Sequence, residues 1–498
     1  MAKVKTVVLW VIGVLIVLIG YPFFTLNSIQ GAYLPSADLE PSLALPDFHR
    51  DTAYAARLSQ ALQWKTISHD VKMVDHSAFE GLGALLRKSY PHVFAGAQID
   101  TFSEHSYLLH LGGNDNARNY LFIAHQDVVP VDSKSLSQWD HPPFSGTLAN
   151  GNIYGRGTLD DKSAMMALLE GLEHLLSNGW TPTQNLYLFL GQDEEVGGTA
   201  GAKIAAAHCL AQGIHFDAIL DEGGIISTGA IPGMEEEKVA LIGTAEKGYL
   251  SVKVTFDVPG GHSSMPEKIT AVGQASAFVD ELHQNGLLSK EFSPSMEGFF
   301  AHLAPEMPWP LRTVLGWRPI TNSLLLRLYS KSNTGRALTS TTAVATMISG
   351  GIKDNVVPYT TTVVCNSRLL PGQTEAQAYQ AYEQLANKYG GKVQFYHPEM
   401  SGAREATTSS SWEAAEFQKL GEAVKWVYPE AHISPYLTIG GTDSKHFQKV
   451  ASNTYRFLPV VVPLDRTNEI HGNNEHITVS GYHKMIAFYT RVLVGWCQ

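Results

Sequence analysis

The stretch LFLGQDEEVGG (188–198) constrains the fold more than any other part of this 498-residue chain. An apolar run ends there on three consecutive carboxylates, Asp193, Glu194 and Glu195. Acids crowded at the end of a buried strand repel one another and lose hydration, so they call for positive charge nearby. The pattern recurs along the chain. FIAHQD brings His125 and Asp127 to the end of the apolar run 120–124, and AILDEGG does the same for Asp221 and Glu222. Asp160 in YGRGTLDDK and His471 in NEIHGNNEH stand in turns of the same character.

Between these runs lie segments of helical spacing, such as DKSAMMALLEGLEHLLSNG (161–179) and TAGAKIAAAHCLAQG (199–213). Strand, helix and strand in alternation predict an α/β fold, a mostly parallel sheet covered by helices. Near Gly248 the texture changes. YLSVKVTFDV (249–258) alternates apolar and polar, as in a strand with one exposed face. A helix (271–286), two strands (340–351 and 360–370), a second helix (374–390) and a last strand (392–398) follow. This order predicts an α+β open-faced sandwich inserted as a lid or dimerisation domain. The segment 287–335, rich in Pro, Trp and Phe, reads as irregular. The expected units are 1–30, an N-terminal signal anchor; 45–246 and 399–498, the two parts of the main domain; and 247–398, the insertion.

At the N-terminus, Lys3 and Lys5 precede an uncharged run from Thr6 to Leu26. Its length matches the ~20 residues a membrane-crossing helix needs. The lysines place the N-terminus in the cytoplasm and the body on the far side; secretion after signal cleavage is the alternative. A net charge of −11 excludes the basic stripe a nucleic-acid binder needs. Three scattered cysteines exclude a disulfide framework and a cysteine zinc site, leaving room for one disulfide at most.

Open α/β sheets build their sites outside the carboxyl ends of the strands, so the strand-end groups are expected to converge. Two histidines with several carboxylates are ligands that zinc accepts. Two zinc ions sharing one carboxylate would supply the missing positive charge. His125 and Asp127 are two residues apart and share one face of a strand, as a ligand and the carboxylate that orients it would.

H-x-D, GRG-x-x-D-D-K, DEE-x-G-G, DEG, GGHSS-x-P and a late histidine, in that order, resemble the aminoacylase, carboxypeptidase S and glutamate carboxypeptidase family of di-zinc metallopeptidases. The resemblance spans about residues 50–498. It implies hydrolysis of an amide in a peptide or N-acyl amino acid. Its metal ligands would be His125, Asp160 (bridging), Glu195, Asp221 or Glu222, and His471, with His476 a rival for the last. Asp127 would support His125, Glu194 would act as general base, and His262 would donate to the oxyanion, within its own subunit or across a homodimer. Asn355, Arg368 and the GGTDS stretch with Gly441 and Thr442 would hold a substrate carboxylate, although Arg368 equally suits a strand-edge ion pair. A carboxypeptidase S-like enzyme is the first expectation and an N-fatty-acyl-amino acid hydrolase or synthase the second. Segment 287–335 would cover an acyl pocket, sit on the membrane or add lid core. From another class, a non-catalytic binding protein on this scaffold would lack a ligand or the base. A serine hydrolase is disfavoured, because no G-x-S-x-G elbow occurs.

Overall fold

The computed structural model describes residues 26–34, 52–70, 73–113, 117–396 and 403–498, together with Trp10. The expected signal anchor lies almost wholly outside the described residues. No helix among the described residues is long and apolar enough to cross a membrane.

The large sheet has ten strands among the described residues. From one edge the order is Gln98–Phe102, Ser106–Leu111, Asn185–Gly191, Asn119–His125, Phe216–Asp221, Ala451–Arg456, Val239–Glu246, Ile226–Thr228 and Val461–Pro463, with His432–Thr438 paired to Val239–Glu246. Its middle is parallel: Asn119–His125 runs alongside both Asn185–Gly191 and Phe216–Asp221, and Ala451–Arg456 runs alongside Phe216–Asp221. These strands are buried almost throughout, the burial expected of parallel strands covered on both faces. Helices Lys162–Ser177, Ala415–Val427 and Val479–Cys497 pack on one face around Phe122, Leu188, Phe417 and Trp496. Because the central strands are parallel, their carboxyl ends share one sheet edge. His125 pairs with Gly191 there, so the turn holding Glu194 and Glu195 opens beside the histidine.

A second sheet has four antiparallel strands in the order Thr342–Gly350, Thr360–Arg368, Leu250–Asp257 and Gly391–Phe395. Helices Ala271–Asn285 and Glu375–Lys388 close one face over Val252, Val254, Phe278, Cys365 and Tyr382. Glu375–Lys388 starts on a capping box, in which Thr374 and Gln377 each serve the other's backbone N–H. Thr342–Gly350 is one of the two edge strands of this sheet among the described residues, with Val344, Met347 and Ile348 exposed.

The segment 287–335 is not irregular. It forms the helices Pro294–Leu303, Leu311–Gly316 and Arg318–Tyr329, and Asn333–Thr339 follows them. Proline misleads here because it starts a helix as readily as it stops one. Ser293 caps the first helix, accepting from the Met296 N–H at 3.4 Å, and Pro294 occupies the first turn, where no N–H is needed. Met296, Phe299, Phe300 and Leu303 then pack on Val239, Leu241 and Leu437, so this helix belongs with the large sheet. All three cysteines are buried and free, which removes the disulfide left open by the sequence.

Candidate metal centre

Three strand ends and two turns deliver the site. His125 is the last residue of its strand and is 1% exposed. Its Nδ1–H donates to the Asp127 carbonyl at 2.9 Å, which leaves Nε2 as the ligand atom. That Nε2 lies 2.9 Å from Asp160 Oδ1 and 3.6 Å from Glu222 Oε1. On the other side of Asp160, its Oδ2 is 2.9 Å from His471 Nε2, and His471 Nε2 is 3.3 Å from Glu195 Oε2. Two donor sets result, His125–Asp160–Glu222 and Asp160–Glu195–His471, and within each the donor atoms all lie within 4.8 Å of one another. Asp160 is common to both.

The backbone explains why these groups meet. Asp127 is fully buried, and its carboxylate accepts the N–H groups of Glu194 and Glu195, each at 3.2 Å. It therefore fixes the acidic turn against the His125 strand. Arg156 and Glu475 form a buried ion pair at 2.6 Å that ties the two ligand turns together. Glu475 accepts from the Gly157 and Leu159 N–H groups at 3.0 and 2.7 Å, which holds the turn of Asp160. Arg156 Nη2 donates to the carbonyls of His471 and Gly472 at 3.1 and 3.0 Å. His471 itself sits at φ +59°, a left-handed conformation that aims a side chain out of a tight turn.

The three acids that open the sequence problem diverge. Asp193 turns inward and accepts from the Ala200 and Gly201 N–H groups at 2.7 and 2.9 Å, so it shapes the loop. Glu195 joins His471, and its other oxygen, Oε1, is buried with no hydrogen-bond partner. Glu194 stands apart from both donor sets, 3.7 Å from Lys445 Nζ. Burial pushes the carboxyls of Glu194, Glu195 and Glu222 up, and for Glu194 Lys445 opposes that shift. Hydrogen bonds to Asp160 and Glu195 push the His471 imidazole up to about 10. Acids that resist ionisation and an imidazole that resists neutrality describe a site short of positive charge. An orphaned, buried ligand oxygen on Glu195 fits the same deficit, so these residues suit a pair of metal ions.

The alternatives left open by the sequence separate geometrically. Glu222 carries the carboxylate that meets His125, whereas Asp221 accepts from the Ser444 N–H at 2.8 Å and the Glu222 N–H at 2.9 Å. His476 stacks on Tyr154 at 4.9 Å and lies outside both donor sets. His262 and Asn355 are exposed neighbours on the small domain, where Gly261–His262 pairs with Val356–Val357, and His262 Nδ1 accepts from Ser264 Oγ at 2.8 Å. Thr442 does not offer its N–H to a ligand, because that N–H and its hydroxyl donate to Glu246 Oε1 at 3.1 and 2.6 Å. Gly441 lies over Arg404, since a Cβ built there would meet Arg404 Nη2 at 3.0 Å. Arg368 is half-buried over the Tyr249 ring at 5.1 Å.

Sequence reasoning missed a buried basic cluster next to the donor sets. Glu246 is fully buried and accepts from Arg456 Nε at 2.6 Å, and Arg404 Nη1 lies 3.5 Å from its other oxygen. Arg368 is close enough to act on Arg404 and Lys247, and Lys445 acts on Glu246. Glu246 ends an apolar strand, the same signal that revealed Glu222, and would have been found by it. Lys445 lies within the GGTDSKHF stretch, four residues past Gly441. Arg404 has no such signal, because it stands in an irregular stretch that bridges to Tyr249 at the start of the second sheet.

The model of peptidase family M20/M25/M40 matches residues 121–494. The N-fatty-acyl-amino acid synthase/hydrolase PM20D1 of Bos taurus is 33% identical over 435 residues, covering 86% of this chain and 85% of its own. A probable carboxypeptidase S-like 2 of Dictyostelium discoideum is 30% identical over 449 residues, covering 89% and 85%. Among solved structures, the metallo-carboxypeptidase Sso-CP2 of Sulfolobus solfataricus has the same fold, with a TM-score of 0.63 at 20% identity over 88% of this chain and 98% of its own.

Proposed function

This chain belongs to peptidase family M20/M25/M40, and on that footing we propose that it hydrolyses an amide bond next to a free carboxylate, using two zinc ions. The observation that carries the reading is the pair of donor sets sharing Asp160, with the unshared carboxylate Glu194 beside them. His125 and Glu222 would hold one ion, Glu195 and His471 the other, and Asp160 would bridge. When bound, the ions supply Lewis acidity toward the substrate carbonyl and lower the pKa of water in the site. Glu194 takes the proton from the attacking water and returns it to the leaving nitrogen. Burial raises its basicity, and Lys445 opposes that rise. His262 lies outside the donor sets of its own chain, and we assign it to the oxyanion of a partner subunit's site. The edge strand Thr342–Gly350, with exposed Val344, Met347 and Ile348, is the surface that would make such a dimer.

Arg404 and Arg368, with Gly441 lying over the Arg404 guanidinium, form the pocket for the substrate carboxylate. Arg456 and Arg404 both face Glu246, which leaves positive charge to spare, and Arg matches a carboxylate with two parallel hydrogen bonds. A peptide with a free C-terminus and an N-acyl amino acid both present this group. The long-chain acyl reading is favoured by exposed apolar side chains on the helical segment, Trp309 at 61%, Ile320 at 69%, Leu324 at 51% and Leu328 at 47%. A membrane address outside the cytoplasm rests on Lys3, Lys5 and the uncharged run to Leu26. Leu26 is the point where the described chain joins the body, its carbonyl accepting from Arg312 at 2.7 Å.

The test is hydrolysis by the purified chain of Z-blocked dipeptides, N-oleoyl amino acids and N-acetyl amino acids. Release of free amino acid, abolished by a chelator and restored by zinc, is expected. The preferred substrate separates carboxypeptidase from acylase. Two bound ions without cleavage of any of the three substrates would turn the reading to a binding protein, and no bound metal would overturn it.

A further inference from the structure

A second group of ligand-type side chains lies behind the strand ends, outside the site described above. His76 opens the helix His76–Ser89, and Glu104 and His105 occupy the turn between strands Gln98–Phe102 and Ser106–Leu111. His76 Nδ1 is 2.9 Å from His105 Nε2 and 2.9 Å from Glu104 Oε2. One Nδ1–H serves only one of these two partners, so hydrogen bonding between the side chains leaves a contact unmet. A cation between them would satisfy all three.

We propose that His76, Glu104 and His105 form a third divalent-metal site, distinct from the Asp160 pair, for a borderline transition metal such as zinc. Two imidazole nitrogens and one carboxylate are a donor set such ions accept, with water completing the shell. Tetrahedral ligands at the usual zinc distances stand about 3.3 Å apart, a few tenths more than the present nitrogen spacing. His76 and Glu104 have the freedom to open by that amount, with side chains 55% and 71% exposed. His105 is the fixed member. It is 5% exposed, and its ring stacks on Phe79 with centroids 5.2 Å apart and planes 12° apart.

Ser103 and Glu104 both have positive φ, +45° and +78°, a conformation that non-glycine residues adopt at a cost. Glu80 lies one helical turn beyond His76, on the same face, and its charge acts on His105, so it is the nearest further carboxylate.

The site also faces the catalytic turns through His105. Its N–H donates to Gln192 Oε1 at 2.8 Å, and its carbonyl accepts from Gln126 Nε2 at 2.6 Å. Gln126 follows His125, and Gln192 precedes Asp193. An ion here would staple the helix His76–Ser89 to the hairpin turn and steady both glutamines from behind.

Metal counting on the full-length chain decides the matter. Stripped protein is dialysed against zinc buffered at a low free concentration, and metal per chain is read by plasma mass spectrometry for wild type, His76→Ala and Glu104→Gln. Both substitutions fall on exposed side chains and leave the fold intact. His76→Ala is expected to hold one ion fewer than wild type and Glu104→Gln to lose that ion more readily, with amide hydrolysis unchanged in both. Cobalt substitution gives an independent readout, in which His76→Ala loses part of the visible absorption. Equal metal content in wild type and His76→Ala overturns the proposal. So does loss of more than one ion, because the site would then be inseparable from the Asp160 pair.

Discussion

Two buried charge clusters lie side by side at the strand ends, and their imbalances are opposite. Around Asp160 the carboxylates of Asp127, Glu194, Glu195 and Glu222 face His125 and His471. Around Glu246 one carboxylate faces Arg456 and Arg404. Lys445 stands between them, 3.7 Å from Glu194 and close enough to Glu246 for each acid to raise its pKa. Buried charges persist only when something compensates them. The acid-rich cluster therefore waits for cations and the base-rich cluster for an anion. On the proposed function, metal and substrate carboxylate would be the two missing charges, and the reacting amide would be held where the clusters meet.

The sharpest way to break the acid-rich side is to remove the residue common to both donor sets. Asp160→Ala deletes two ligand atoms at once. Metal content after dialysis is expected to fall by two ions per chain, leaving only the separate His76 site filled, and hydrolysis to fall to background. A variant that kept both ions would show that Asp160 does not bridge. Glu194→Gln separates charge balance from proton transfer, because this carboxylate belongs to neither donor set. A drop in kcat of about 10²- to 10⁴-fold is expected with metal content unchanged. Unchanged kcat would remove Glu194 from the role of base.

What the sequence revealed and what it hid follow the same division. Every acid-rich strand end was legible, because an apolar run that ends on His, Asp or Glu is a local pattern and the parallel sheet then brings the ends together. The choice of Glu222 over Asp221 was not legible. Adjacent residues at a strand end point in opposite directions, and only the Ser444 N–H that captures Asp221 decides between them. The base-rich cluster was largely invisible. Arg456 and Glu246 come from strands far apart in sequence, and Arg404 from an irregular stretch. Their meeting is set by the order of strands in the sheet, which no short window contains. The helices of 287–335 were hidden for a different reason, since proline marks a helix start and a helix stop alike.

The base-rich side is tested by a smaller effect. Arg404→Met removes one of the charges offered to the substrate and leaves Arg456 to neutralise Glu246. KM for substrates with a free carboxylate is expected to rise about 10- to 100-fold, the value of a charged hydrogen bond of ~1.5–3 kcal/mol. Amidated substrates would bind as poorly to wild type as to the variant. An equal loss on both would mean that Arg404 serves the fold alone.

The smallest effect is a pair of opposite pH slopes. Asp443 lies in the acid-rich region, fully buried, with neither carboxylate oxygen hydrogen-bonded. Burial, with Asp193, Asp221 and Asp127 nearby, pushes it up to about 8 despite Lys445. The folded chain thus holds this proton more tightly than the unfolded one. Its contribution to stability is complete below the ordinary aspartate range and is lost as pH rises toward 8. Glu246 behaves in the opposite sense. Although burial opposes ionisation, Arg456 and Arg404 hold its pKa below the usual range, so its contribution is present above that range and lost as pH falls through the folded value. Asp443→Asn, nearly isosteric and neutral at every pH, is expected to flatten the decline of Tm between pH 5 and 8 and to be more stable than wild type at pH 8. The acid-side fall set by Glu246 would remain in this variant. If wild type and Asp443→Asn shared one pH profile, Asp443 would already be compensated in the folded chain, and the acid excess would stop at the ligands themselves.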